Sequence, residues 1–295
     1  MNQPLFYNRG VKYNIIQDLL FASKAFDRSF SDISKELNIP LETISRIING
    51  SVYPSNELLE KIYSYIYSKN LKLNKCKVDI YSKNKNVLLF HGSKSELDGD
   101  IDLNHSREHV DFGVGFYAGD NYQQSLDFIC QRDNSSIYVL DVDYSDLKVL
   151  KLDISLDWML MIAINRGLLE EFKDTKKYKE LIKALNSCDV IIAPIADNRM
   201  FNIIGDFTNY TITTEQAIHA LKSLSLGNQS VFKTEKAIKK IKNIERLYIC
   251  RLERSDAIKE KYERIENDKN FAVNAYKKYL RQGLYISEVF DDEKA

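Results

Sequence analysis

Apolar residues recur at helical spacing through roughly the first 70 residues of the chain. The spacing predicts four helices, at 15–22, 30–37, 41–48 and 54–68. Ser31 is the predicted N-cap of the second helix, and the break at 38–40 contains Pro40, which ends a helical pattern. The front of the chain is therefore predicted to be a small all-helical module.

The second and third helices are joined by a turn of three to four residues, which is the arrangement of a helix-turn-helix. The segment resembles the repressor-like family of such domains, which implies DNA binding through residues 30–50, with Thr43, Ser45, Arg46 and Asn49 facing outward. Residues 11–70 hold seven basic and seven acidic side chains, so charge adds little support for phosphate contacts. A helical bundle that serves dimerisation or partner docking remains open.

A stretch rich in lysine and asparagine follows, and its composition predicts a connector. We therefore expect three parts: a helical domain at 1–70, a linker at 71–86 and a larger domain at 87–295.

From residue 87 onward, short apolar or alternating runs mix with helical segments. The runs predict strands at 87–90, 136–142, 148–152, 189–193, 230–233 and 247–252. The helical patterns lie at 122–131, 156–165, 168–185 and 214–224, with a long charged helix from Ser255 to about Gln282. Strands and helices that do not alternate strictly favour an α+β domain with a mixed sheet.

Composition narrows the classes of function. Lysine plus arginine and aspartate plus glutamate number 42 each, so no bulk field favours nucleic acid or membrane. The four cysteines lie far apart, and the few histidines are scattered, so we expect no metal site and no disulfide framework. With no apolar run of membrane length and no apolar leader at the N-terminus, a cytoplasmic protein is expected.

Three short segments carry candidate chemistry. They read LLFHGS at 88–93, DFGVGFY at 111–117 and NQSVF at 228–232. A glycine after a strand-end histidine lets a ligand approach the backbone, and a tyrosine offers a flat face for stacking. Taken singly, each segment also fits an ordinary strand end, core aromatic or turn.

In this order the three segments resemble a bacterial family of uncharacterised domains related to the diphtheria-toxin and poly-ADP-ribose-polymerase branch of ADP-ribosyltransferases. The resemblance implies an ADP-ribosyltransferase-like fold and NAD as co-substrate. It assigns His91 to the adenosine ribose, Gly92 to the nicotinamide carboxamide and Ser93 to the adenosine side. Tyr117 would stack on nicotinamide. The remaining implied contacts are Ser125 on the carboxamide, Phe128 as a second stacking aromatic and Gln229 at the catalytic position.

Gln229 stands where the related enzymes carry a glutamate. An amide can still hydrogen-bond a ribose hydroxyl, but it supplies no negative charge and cannot act as a base. Activation of an acceptor would then fall to the substrate itself or to a group such as Asp111 or Glu235.

The resemblance implies an enzyme that transfers ADP-ribose from NAD to a protein, DNA or RNA acceptor, as in toxins and phage-defence effectors. The alternative is a DNA-binding regulator whose second domain senses NAD or another nucleotide without chemistry; hydrolysis of NAD is a third reading. A run of basic residues, most of them after Gln229, would border an anionic acceptor or form a solvated face. Its members are Lys222, Lys233, Lys236, Lys239, Lys240, Lys242, Arg246 and Arg251.

Overall fold

The chain divides into two compact units in a computed structural model. The model describes residues 12–83, 87–94, 96–97, 101, 103, 110–224 and 227–291. The first unit comprises Met1–Asp100, Ser125–Asp141 and Asn243–Glu260, and the second comprises Ile101–Gln124, Val142–Lys242 and Lys261–Ala295.

The fold is mixed α+β, as expected, with a seven-stranded mixed sheet and flanking helices. The strands are β1 Val87–Ser93, β2 Phe116–Gly119, β3 Ser136–Val142, β4 Val149–Lys151, β5 Val190–Pro194, β6 Asn228–Phe232 and β7 Ile241–Tyr248. The helices are α1 Ile15–Phe26, α2 Phe30–Leu37, α3 Leu41–Ile48, α4 Asn56–Ser68, α5 Leu73–Tyr81, α6 Tyr122–Ile129, α7 Leu156–Asn165, α8 Lys176–Asn186, α9 Asn198–Thr208, α10 Thr214–Lys222, α11 Glu235–Ile238, α12 Arg251–Lys278 and α13 Ile286–Val289.

Helices α1 to α4 of the first unit bury the apolar stripe that the sequence shows. Ile44 and Ile47 of α3 are fully buried, whereas Ser45 and Arg46 between them are exposed. The N-cap of α2 is Ser29, not Ser31 as predicted. The Ser29 hydroxyl oxygen accepts a hydrogen bond from the Asp32 backbone N–H, and the Asp32 carboxylate accepts one from the Ser29 backbone N–H, which completes a capping box. The capping box starts the helix earlier than an N-cap at Ser31 would allow.

The stretch predicted to be a connector contains helix α5. The helix forms in a polar segment because its lysine has buried partners: Lys77 ion-pairs with Asp18 and lies 2.7 Å from Glu245 Oε1. The Tyr63 hydroxyl donates to Asp18 at 2.5 Å, and the Tyr81 hydroxyl donates to Glu245. We call these five residues the lysine cluster. The division at residues 70 and 86 stays a prediction.

Helix α4 packs within the first unit against the end of β7. The rings of Tyr63 and Tyr248 stack with centroids 4.7 Å apart. Glu60 accepts hydrogen bonds from the Tyr248 hydroxyl at 3.0 Å and the Arg251 backbone N–H at 2.9 Å. The face of α4 that a free-standing helical domain would leave to solvent is thus used for packing.

In the second unit the strand order is β4-β5-β6-β2, with β4 parallel to β5 and the other pairs antiparallel. The core of this unit surrounds α7, whose Trp158 is fully buried and donates its indole N–H to the Pro194 carbonyl at 3.1 Å. Trp158 is therefore a core residue.

The predicted strand at 247–252 is largely wrong. The strand is β7, which ends at Tyr248, and α12 already begins at Arg251 instead of Ser255. Strand β2 and helix α9 were not predicted. Asp197 caps α9 by accepting from the backbone N–H groups of Arg199 and Met200, which is a structural role.

Candidate functional site

Strand β1 of the first unit carries three of the predicted site residues. His91 and Gly92 are half-buried, and Ser93 is buried at the strand's end. Alternation along a strand places His91 and Ser93 on one face and Gly92 on the other.

The structure gives Gly92 a packing role that the sequence did not show. A Cβ at this position would lie 2.8 Å from the Ser125 carbonyl oxygen and 2.9 Å from Ile129 Cγ2. Both atoms belong to the segment of α6 within the first unit, so glycine is required for this helix to approach β1. Close approach of a ligand is not needed to explain the residue.

Ser125 and Phe128 lie on α6 in different surroundings. Ser125 is buried, and its hydroxyl donates to the Phe90 carbonyl at 2.9 Å, which leaves its oxygen lone pairs to accept. Phe128 is 57% exposed, with Lys94 Nζ 5.0 Å from the ring centroid. Its open ring suits stacking, whereas Ser125 already ties α6 to β1.

In the second unit, the register of β2 on β6 brings two predicted site residues to one face. Tyr117 pairs with Val231, and Gly119 pairs with Gln229. Residues two apart on a strand point to the same side, so Tyr117 and Gln229 are diagonal neighbours on that face. Segments more than 100 residues apart in the chain thus meet on one face of the sheet.

The Tyr117 hydroxyl is held by backbone groups on both sides. It donates to the Gly113 carbonyl at 2.7 Å and accepts from the Phe112 backbone N–H at 3.1 Å. Burial, as the main cause, raises the pKa of Tyr117 well above its ordinary value, so the phenol stays protonated. The hydroxyl therefore orients the ring and fixes the loop before β2.

Gln229 is buried, with 7% exposure, and belongs to a hydrogen-bonded group that we call the glutamine cluster: Gln229, Asp111 and Arg166. Gln229 Nε2 donates to Asp111 Oδ2 at 2.9 Å, and Arg166 Nη2 lies 3.0 Å from Asp111 Oδ1. The Arg166 guanidinium also lies over the Phe201 ring, 3.8 Å from its centroid. Sequence reasoning named Asp111 for another role and missed Arg166, which no local motif distinguishes.

Two glycines of the segment 111–117 are required by the backbone conformation and by packing. Gly113 has φ +76°, a left-handed conformation that side chains rarely adopt. A Cβ on Gly115 would lie 2.8 Å from Val231 Cγ1 and 2.9 Å from the Phe232 carbonyl oxygen. Both glycines thus seat the loop and β2 against β6, which places Tyr117 and Asp111.

The residues expected to serve an acceptor are placed differently. Both Asp111 oxygens already accept protein hydrogen bonds in a buried position, so acceptor activation is not its evident role. Glu235 is exposed in the first turn of α11.

The basic run after Gln229 is broken up by internal contacts. Lys233 donates to the Leu185 carbonyl at 3.1 Å, and burial lowers its pKa. Lys236 donates to the Asp146 carbonyl, and Lys240 lies 3.4 Å from Asp143 Oδ2. Arg246 is paired with Glu96 at 2.5 Å. These contacts indicate that several of the basic residues hold neighbouring parts of the protein together instead of facing an acceptor.

Within the described part of the chain, no group of three histidine, cysteine, aspartate or glutamate side chains is placed to hold a metal ion. No helix among the described residues combines the length and apolar character needed to cross a bilayer.

Residues 87–243 match the family described as "Protein of unknown function (DUF3990)", and the chain belongs to that family. The match spans all three motif segments. Neither the comparison with curated proteins nor the comparison with solved structures gave a match.

Proposed function

We propose that the chain is a cytoplasmic NAD-dependent ADP-ribosyltransferase with an ADP-ribosyltransferase-like fold, acting on a macromolecular acceptor. In this proposal His91, Gly92, Ser93, Ser125 and Phe128 bind NAD, as the resemblance implies. Tyr117 stacks on the nicotinamide ring, and Gln229 hydrogen-bonds a hydroxyl of the nicotinamide ribose.

The observation that carries the proposal is the shared face of Tyr117 and Gln229. The register of β2 on β6 makes a flat aromatic ring the diagonal neighbour of a buried, oriented amide. A planar heterocycle and its attached sugar need those two groups side by side: a surface for the ring and a hydrogen-bonding group for the hydroxyls.

The proposed reaction breaks the bond between C1′ of the nicotinamide ribose and the nicotinamide ring nitrogen. The electron pair of that bond leaves with nicotinamide, and C1′ gains cationic character. A nucleophilic atom of the acceptor then bonds to C1′ and releases its proton to solvent water. Gln229 contributes by positioning the sugar, because a neutral amide supplies a dipole but no charge.

The test is incubation of the full chain with NAD labelled in the adenosine half, alone and with lysate separated into protein, DNA and RNA fractions. We expect label in one fraction, and its loss in His91→Ala and Tyr117→Ala. Nicotinamide release without labelling of any fraction would indicate hydrolysis instead. NAD binding without release would indicate a nucleotide sensor and contradict the proposal.

A second function, DNA binding by the helical module, is favoured by the exposure of α3. Ser45, Arg46 and Asn49 of this region are exposed while Ile44 and Ile47 are buried, which is how a recognition helix presents its outer face. We expect mixed-sequence duplex DNA to bind with an affinity that falls as the salt concentration rises, and Arg46→Ala to weaken binding about tenfold. Lys24→Ala, exposed on α1, is the control. Salt-independent or absent binding would exclude this function.

A further inference from the structure

The glutamine cluster has an asymmetry that decides which end of the Gln229 amide is presented outward. An ionised carboxylate only accepts hydrogen bonds, so Gln229 must turn its NH₂ group toward Asp111 Oδ2, 2.9 Å away. The carbonyl oxygen Oε1 then points away from Asp111. Among the described residues, the only hydrogen bond of the Gln229 side chain is the one to Asp111.

Arg166 fixes the other side of this arrangement. Its guanidinium only donates, and it lies 3.0 Å from Asp111 Oδ1 while resting on the Phe201 ring. The pair keeps Asp111 in one orientation, with one oxygen for the arginine and one for the glutamine. Arg166 and the Gln229 NH₂ group thus both donate to Asp111. The other end of the Gln229 amide, the acceptor oxygen Oε1, is left facing away from Asp111.

We infer that Asp111 is a positioning residue for Gln229: it holds the amide so that Oε1 accepts a hydrogen bond from a sugar hydroxyl of the substrate. The inference rests on the proposed function. It replaces the expectation that Asp111 activates the acceptor. It also explains how a glutamine serves at the position where the related enzymes carry a glutamate, since the oriented Gln229 Oε1 accepts the hydrogen bond that a glutamate oxygen would accept.

Asp111→Asn should reverse the arrangement. Arg166 still requires an acceptor, so the carbonyl of the introduced asparagine would turn to Arg166 and its NH₂ would face Gln229. The Gln229 amide would then rotate so that its oxygen accepts from the NH₂ group of the introduced asparagine. Its own NH₂ group would face outward in place of the oxygen. We expect kcat for nicotinamide release to fall about 10²-fold, the usual loss when one oriented hydrogen-bonding group is removed. KM for NAD should change less.

The double variant Asp111→Asn with Gln229→Glu should recover activity to within about tenfold of wild type, since one glutamate oxygen accepts from the introduced asparagine and the other faces outward. Gln229→Glu alone places two carboxyl groups in contact. They can share a proton, so its activity should fall as the pH rises and that proton is lost. The double variant should lack this pH dependence.

Asp120→Asn is the matched control, because Asp120 bonds Asn228, next to Gln229 in the chain, without touching the glutamine cluster. It should keep wild-type kcat. Wild-type kcat in Asp111→Asn, or a double variant no better than that single variant, would overturn the inference. If Asp111→Asn does not fold, a Gln229→Glu pH profile identical to that of wild type overturns it. Absence of nicotinamide release from wild type would overturn the proposed function and the inference together. If wild type is active but Asp111→Asn keeps wild-type kcat, or the double variant is no better than that single variant, the inference alone is overturned.

Discussion

Each unit of the molecule buries a cluster in which a basic side chain pairs with carboxylate, two carboxylates in the lysine cluster and one in the glutamine cluster, and the two clusters are completed differently. In the lysine cluster, Asp18 and Glu245 both bond the same lysine, and each also accepts from a tyrosine of the first unit. In the glutamine cluster, both oxygens of Asp111 are also bonded, but Gln229 ends the chain of hydrogen bonds with a carbonyl oxygen that no described residue bonds.

The difference separates a structural role from the binding role that we propose for Gln229. A buried cluster whose carboxylates share one cation and each accept from a tyrosine stabilises and orients its own elements, here α1, α5 and β7. A group that is oriented on one side and left with an acceptor on the other is prepared for an external donor. Arg166 is also 32% exposed, whereas Lys77 is 12% exposed, so the second cluster lies nearer to solvent.

Removal of the lysine should have the largest effect on stability. Lys77→Met leaves two buried carboxylates without their cation, and we expect the free energy of unfolding to fall by about 3–5 kcal/mol. Urea denaturation measures the change. Lys75→Met, exposed on the same helix, should stay within about 0.5 kcal/mol of wild type. Equal effects of the two substitutions would show that the lysine cluster is not structural.

The glutamine cluster should respond in activity more than in stability. Gln229→Ala should lower nicotinamide release about 10²-fold, and it should cost only about 1 kcal/mol in unfolding because Asp111 keeps Arg166. Gln216→Ala removes a similarly buried glutamine that bonds the Tyr276 carbonyl, so it should lose stability and keep activity. Parallel losses of release in both variants would remove the distinction between the clusters.

Phe128 tests the predicted contact on the exposed side of α6. Phe128→Ala should weaken NAD binding up to about tenfold, since a stacked aromatic pair contributes roughly 0.5–1.5 kcal/mol. Stability should barely change because the ring is 57% exposed. Titration calorimetry measures the affinity, with Phe271→Ala on α12 as the control. Unchanged affinity in both variants would remove Phe128 from the site.

The smallest expected effect is a pH dependence in the lysine cluster. Burial raises the pKa of Asp18 above 3.8, despite opposing contributions from Lys77 and Tyr63. The folded state therefore binds the proton more tightly than the unfolded state, and stability falls as the pH rises through the raised pKa. Asp18→Asn should flatten this part of the unfolding curve against pH. Asp27→Asn, at an exposed position at the end of α1, should leave the pH dependence of unfolding unchanged. If the curve of Asp18→Asn keeps the wild-type slope, the pH dependence does not come from Asp18.

Local patterns predicted helices α1 to α4 well, because the signal lies within each helix. The boundaries of α3 were predicted to the residue, since its apolar stripe, preceding proline and following glycine are all local. Helix α5 was missed for the opposite reason: its sequence is polar, and its ion-pair partners lie in α1 and β7.

The candidate site divides in the same way. Tyr117 and Gln229 were expected together only through the resemblance, and the strand register brings them to one face. The Asp111–Gln229 hydrogen bond spans 118 positions and follows from that register and from the Gly113 turn, so no local pattern could predict it. Gly92 shows the converse, since a residue expected to face a ligand is required by helix packing.

The most direct measurement is chromatographic detection of nicotinamide after incubation of the purified full chain with NAD. The proposed transferase predicts steady release by wild type, a loss of about 10²-fold in Gln229→Ala and continued release in Gln216→Ala. No release by folded wild type, with or without the lysate fractions, would contradict the enzymatic function and leave the glutamine cluster as a second structural group.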